Sequence, residues 1–183
     1  MSLLLALQGG WTPEQSLRAD ESRVITPEQF ASGVIPITDP RLISHLIENP
    51  RGLYGLSAWA FQELVAELLR NQGYPDVILG GRGRDGGVDI FAERRGDLGH
   101  ELVIVQCKRF AEDHKVGEPV VKQFAYEVEE REATRGLIAT TSTFTSDALK
   151  LIEEKRYRLT GKDFEKLAAW LGQVRDTTGK RDA

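Results

Sequence analysis

The 183-residue chain has one cysteine, no apolar run long enough to cross a bilayer, and no excess of positive charge. Each scarcity removes a class of function. Cys107 cannot form an internal disulfide, and its place inside an apolar stretch reads as a small buried hydrophobe in a reducing compartment. The only early apolar run, Leu3 to Leu7, falls far short of the roughly 20 residues that a membrane helix needs. No Lys or Arg precedes it to make a secretory signal. No membrane partner and a cytoplasmic location are therefore expected. A net charge of −4 argues against a protein that coats nucleic acid indiscriminately, though it leaves room for a local basic site. No repeat period and no helix-turn-helix pattern stands out.

What is present is an ordinary soluble composition, 40% hydrophobic and 28% charged, at a length that suits one main core with an appendage. Residues 1–50 read as an N-terminal extension of unknown role, 51–173 as the main domain and 174–183 as a frayed tail. Within the extension, Thr12-Pro13-Glu14-Gln15 and Thr26-Pro27-Glu28-Gln29 look like helix starts with capping boxes, and a firmer helix runs from Asp39-Pro40 to Asn49-Pro50. Ser57 can cap a helix whose Phe61, Leu64, Val65, Leu68 and Leu69 form one stripe, ended by Gly73. Strands are predicted at 77–79, 88–92 and 102–107, with a glycine-rich loop before the second and a turn around Gly96 and Gly99 before the third. A helix from Pro119, a strand at 136–140, a helix capped by Ser146, a strand at 157–159 and a helix at 164–171 complete the order. This is a mixed sheet between helices.

The stretch Val105-Gln106-Cys107-Lys108 closes a greasy strand with two polar side chains. Alternate residues of a strand share a face, so Gln106 and Lys108 point one way and Cys107 the other. Buried without partners, they would cost several kcal/mol. Asp89, on the preceding strand of a hairpin, is the natural partner. A carboxylate beside an amide oxygen suits Mg²⁺, which takes few protein ligands and shares its shell with water and phosphate. Lys108 would then stabilise charge on a phosphate or orient an attacking water. A structural Asp–Lys pair, with Gln106 bonded to backbone, fits the same spacing.

Asp89 followed by Gln106-x-Lys108 resembles the motif of the PD-(D/E)XK nuclease superfamily. Taken with Phe61…Leu64-Val65-Ala66…Leu68-Leu69…Gly73-Tyr74, Asp85-Gly86-Gly87-Val88-Asp89, Gln106-Cys107-Lys108-Arg109 and Thr140-Thr141-Ser142…Phe144-Thr145, the chain over about 57–171 is similar to the Mrr-type restriction endonucleases. The resemblance implies an α/β, restriction-endonuclease-like mixed central sheet flanked by helices, in which residues 51–173 form the nuclease domain. It implies Mg²⁺, with Mn²⁺ as substitute, held by Asp89, Gln106 and the backbone carbonyl of Cys107, and Lys108 as the catalytic lysine.

Gln106 stands where the broader superfamily has an acid, which predicts weak metal affinity unless DNA phosphate contributes. Where the family often has a glutamate after the helix phenylalanine, this chain has Gln62 and then Glu63. Gln62 borders the apolar stripe, whereas Glu63 and Glu67 fit a solvated face. Asp85 either adds a carboxylate to the site or holds the glycine loop.

Arg82, Arg84, Arg109, Lys115 and Lys122 are candidate phosphate contacts, each also readable as ordinary surface. Thr141, Ser142 and Thr145 either contact DNA or cap the next helix. His114 has no assigned role. The expected activity is metal-dependent endonucleolytic hydrolysis of DNA in restriction or defence. A homodimer is expected because cutting both strands of a duplex usually needs two sites. A separate DNA-recognition or defence-system partner is also expected. Repair or junction processing on the same fold, and a DNA-binding or sensing module without catalysis, are the alternatives.

Overall fold

A computed structural model describes residues 37, 39–80, 87–97 and 99–178. The two helix starts at Thr12 and Thr26 lie outside the described residues, as do Arg82, Arg84 and Asp85.

The first helices begin where short polar side chains satisfy orphan amides. Helix α1, Pro40–Glu48, is capped by Asp39, which accepts from the Arg41 amide at 2.9 Å, and Pro50 after Asn49 turns the chain into a 3₁₀ segment, Pro50–Gly55. Helix α2, Ala58–Asn71, is capped by the Ser57 hydroxyl, which accepts from the Ala60 amide at 3.1 Å. Gly73, at φ +88°, ends that helix in the left-handed region, and the Tyr74 amide returns to the Leu69 carbonyl.

Five strands follow in spatial order β1-β2-β3-β4-β5: β1 Asp76–Leu79, β2 Ile90–Gly96, β3 Gly99–Lys108, β4 Arg135–Thr140 and β5 Leu159–Lys162. The first three pair antiparallel. β3, β4 and β5 run parallel through the crossover helices α3, Glu118–Glu130, and α4, Ser146–Glu154; α5, Phe164–Thr178, ends the described chain. One sheet face packs Val103, Val105 and Ile90 against Phe61, Leu64 and Leu68 of α2 and Trp170 of α5. The other packs Ile104 and Ile138 against Val121, Phe124 and Val128 of α3 and Ala148 of α4. This is the expected mixed sheet flanked by helices. Among the described residues no helix is long and apolar enough to cross a membrane.

Five boundaries differ from the sequence reading. The β2–β3 hairpin extends through charged residues to Gly96 and Gly99, because Arg94 pairs across it with Glu101 at 2.6 Å and Gly99 adopts φ +115°. β2 itself starts at Ile90, later than Val88. β5 begins at Leu159, where pairing with Gly136 starts, leaving Tyr157 in an exposed turn. Thr145, not Ser146, caps α4, and α5 continues past Leu171 and Gln173 to Thr178, with Val174 packed on the first core.

Candidate active site

Asp89 lies one residue before β2, its amide bonded to the Val105 carbonyl at 2.8 Å, so its carboxylate is set beside the end of β3. One carboxylate oxygen accepts from the Cys107 amide at 2.6 Å and the other from Nε2 of Gln62 on α2 at 2.7 Å. Burial raises the Asp89 pKa above the ordinary carboxylate value, against the lowering effects of the Cys107 N–H and the Lys108 charge. Burial likewise pushes the Cys107 thiol well up, which fits a neutral packing residue.

The expected direct pairing of Asp89 with Gln106 or Lys108 by hydrogen bond is not observed. Gln106 is only 4% exposed, and its Nε2 donates to the Gly87 carbonyl at 3.0 Å. Because that carbonyl can only accept, the amide nitrogen end is fixed there. Oε1 is thereby turned away, and it is buried with no partner among the described residues. Gly87 has two reasons to be glycine: φ is +80°, and a Cβ would lie 2.5 Å from the Gln106 Nε2. This cradle was not legible in the sequence, because it depends on the side chain of a residue on another strand.

An unpaired, buried amide oxygen, a carboxylate and a strand-end carbonyl are hard oxygen donors, the kind that a small divalent cation takes. The donor set fits such an ion. Among the described residues no three His, Cys, Asp or Glu side chains gather as a metal cluster, since two of the three donors proposed here are amide and backbone oxygens.

Lys108 is partly buried, two residues beyond Gln106 on the same strand, and no hydrogen bond ties its ammonium to a described residue. Its backbone is held firmly. The Thr140 hydroxyl donates to the Lys108 carbonyl at 2.8 Å, Thr141 to the Phe110 carbonyl at 2.7 Å and Ser142 to the Glu112 carbonyl at 3.1 Å. Three successive hydroxyls thus reinforce the last pair of the β3–β4 ladder and tie down the chain after it. Thr141 and Ser142 are fully buried in this role, so they do not present a surface to DNA, and Thr145 serves as the α4 cap by accepting from the Ala148 amide.

The remaining candidates divide. Gln62 reaches the site; no contact brings Glu63 there, and Glu67 pairs with Arg70 on the helix face. Arg109 and Lys115 are exposed, with Arg109 donating to the Tyr54 carbonyl at 3.2 Å, and Lys122 pairs with Glu118 one helical turn away. His114 packs edge-on against Phe110.

The Mrr_cat model, described as restriction endonuclease, matches residues 53–171. The chain belongs to this restriction endonuclease family. Its fold is similar to that of the DNA modification-dependent restriction endonuclease AspBHI, with a TM-score of 0.52 and 16% identity over 84% of this chain and 38% of that one. A second neighbour, the MspJI restriction endonuclease in complex with a 27-mer oligonucleotide, shows a TM-score of 0.49 and 21% identity over 80% of this chain and 34% of its own. The chain thus spans little more than a third of either endonuclease. No curated protein sequence matches it. The family match covers Gln62, Asp89, Gln106, Lys108 and the three hydroxyls of the β4 end, so all of the site described here lies within the restriction endonuclease region.

Proposed function

We propose that the chain is a divalent-metal-dependent endodeoxyribonuclease of restriction or defence, whose site is Asp89, Gln106 and Lys108. The observation that carries this reading is the orphaned Oε1 of Gln106, a buried oxygen with no partner among the described residues, on the strand whose Cys107 amide holds the Asp89 carboxylate. Family membership supplies the reaction class.

Asp89, Gln106 Oε1 and the Cys107 carbonyl would hold Mg²⁺, or Mn²⁺ in its place, with DNA phosphate completing the donor set. A divalent cation there supplies Lewis-acid charge to a phosphoryl oxygen and makes a nucleophile available near neutral pH. The chain's own part is preorganisation. Gln62 and the Cys107 amide fix the Asp89 carboxylate, Gly87 fixes the Gln106 amide, and the Thr140 hydroxyl fixes the backbone from which Lys108 projects. The Lys108 ammonium, free of hydrogen bonds to described residues, donates to the phosphoryl oxygens as negative charge builds on them. Arg109 and Lys115 supply phosphate contacts, and residues 51–173 form the nuclease domain with 1–50 as an extension. A homodimer would place two such sites on one duplex; light scattering of the free and DNA-bound protein tests that stoichiometry.

The test of function is incubation of modified and unmodified plasmid DNA with the protein in Mg²⁺, Mn²⁺ or EDTA. Cleavage in either metal and none in EDTA is expected. Branched DNA cut in preference to linear plasmid would move the role to junction processing. A single carboxylate among the donors favours a second reading, a DNA-binding module without catalysis. DNA binding with no cleavage in any metal would establish that one.

A further inference from the structure

We infer that Lys162, with Lys166 beside it, is a phosphate-binding position for a DNA strand crossing the carboxyl ends of β3, β4 and β5, an inference that rests on the nuclease reading. The register places it. Cys107 pairs with Ala139, and Ala139 with Lys162, so Lys162 ends β5 at the level where Cys107 holds Asp89. Two strand spacings separate Cys107 from Lys162, about 10 Å, which is the axial length of about three nucleotides of one strand. Paired residues of parallel strands share a face, and Lys162 faces α5, with Nζ 4.7 Å from the centre of the Trp170 ring.

The side chain is in an unusual position for a lysine. It is partly buried, and no carboxylate forms an ion pair with it among the described residues. Its neighbour Asp163 accepts from the Lys166 amide at 3.0 Å at the start of α5 and attracts the Lys162 charge from there without forming an ion pair. Burial first, and then the second positive charge of Lys166, lower the affinity of Lys162 for its proton against the opposing pull of Asp163. A cation held under desolvation and like-charge repulsion, with the Trp170 face against it and the Asp163 carboxylate only partly offsetting both effects, gains from an arriving anion.

The neighbouring contacts continue the basic surface. Phe164, two residues on, stacks on Tyr54 with centroids 5.2 Å apart, and the Tyr54 carbonyl holds the Arg109 guanidinium. The Tyr54–Phe164 stack thus links the residue that holds Arg109, after β3, to the chain two residues beyond Lys162.

The experiment is a salt titration of duplex DNA binding in EDTA, read by fluorescence anisotropy, for the wild type, Lys162→Met, Lys162→Arg, Lys166→Met and Lys150→Met. Methionine keeps an apolar stem over Trp170. Exposed Lys150, paired with Asp147 on α4, controls for a general loss of charge. Each phosphate contact contributes about −0.9 to the slope of log K against log salt, so its loss shrinks the fall in affinity between about 0.05 and 0.2 M salt by about 3.5-fold. Lys162→Met is expected to show that loss, and Lys162→Arg and Lys150→Met to keep the wild-type slope. Lys166→Met, at an exposed position, gives a reading independent of Trp170 packing and is expected to lower the slope as well. Wild-type slopes in both Lys162→Met and Lys166→Met, in a protein that binds and cuts DNA, would overturn this inference alone. A wild type that binds no DNA would overturn it together with the nuclease reading.

Discussion

Replacing Gln106 with methionine should make the metal-free protein more stable while abolishing its activity. The side chain is 4% exposed and its Oε1 has no partner, and a buried unsatisfied oxygen costs about 1–3 kcal/mol. Methionine removes that oxygen at nearly constant volume. It also removes the bond from Nε2 to the Gly87 carbonyl, worth about 0.5–1.5 kcal/mol. Gly87 is exposed, so its carbonyl can turn to water. The balance runs from about −0.5 to 2.5 kcal/mol and centres on a stabilisation of about 1 kcal/mol, read as an upward shift of the urea midpoint in EDTA at unchanged m-value. Binding of Mn²⁺ should be lost in the same variant. A Gln106→Met protein less stable than the wild type by more than about 1 kcal/mol would refute the claim that Oε1 is uncompensated, since the partner it lacks would then exist.

Other outcomes follow from the same contacts. Asp89 has a raised pKa in the folded state, so its contribution to stability is fully present below the ordinary carboxylate value and is lost as pH rises through the folded value. Asp89→Asn should therefore gain stability relative to the wild type between pH 4 and 7 in EDTA, and a gap that narrows over that range would contradict the assignment. Thr141→Val strands the Phe110 carbonyl in the protein and should cost about 1–3 kcal/mol, measured by urea unfolding, with Thr141→Ser restoring most of it. Mg²⁺ titrated calorimetrically should bind weakly to the free protein and more tightly with DNA present, because Gln106 contributes an oxygen without a charge; equal affinity in both would count against Gln106 as a ligand.

The parts of this molecule that were legible in the sequence are those dictated by local chemistry. Asp39 and Ser57 cap helices as their types predict, and Gly73 ends α2 with a positive φ. The apolar run Val103–Val105 is buried in mid-sheet, and the alternation that follows puts Cys107 on the α2 face. What could not be read depends on partners distant in sequence. Thr141 and Ser142 looked equally suited to DNA or to a helix cap, and proved to secure the loop after Lys108, because the β3–β4 register brings them beside it. Gln62 looked only better placed than Glu63; its bond to Asp89 spans 27 residues. β5 was misplaced because an exposed tyrosine has the same β propensity as a buried one.

The central claim is that Asp89 and Lys108 act together in metal-dependent cleavage of DNA. Its most direct test is plasmid cleavage in Mg²⁺ and Mn²⁺ by the wild type, Asp89→Ala and Lys108→Ala, with circular dichroism confirming that all three are folded. The account predicts cleavage by the wild type and a loss of at least about 100-fold in each variant, the scale expected when a group that stabilises transition-state charge is removed. Cleavage by folded Asp89→Ala or Lys108→Ala at the wild-type rate would contradict it.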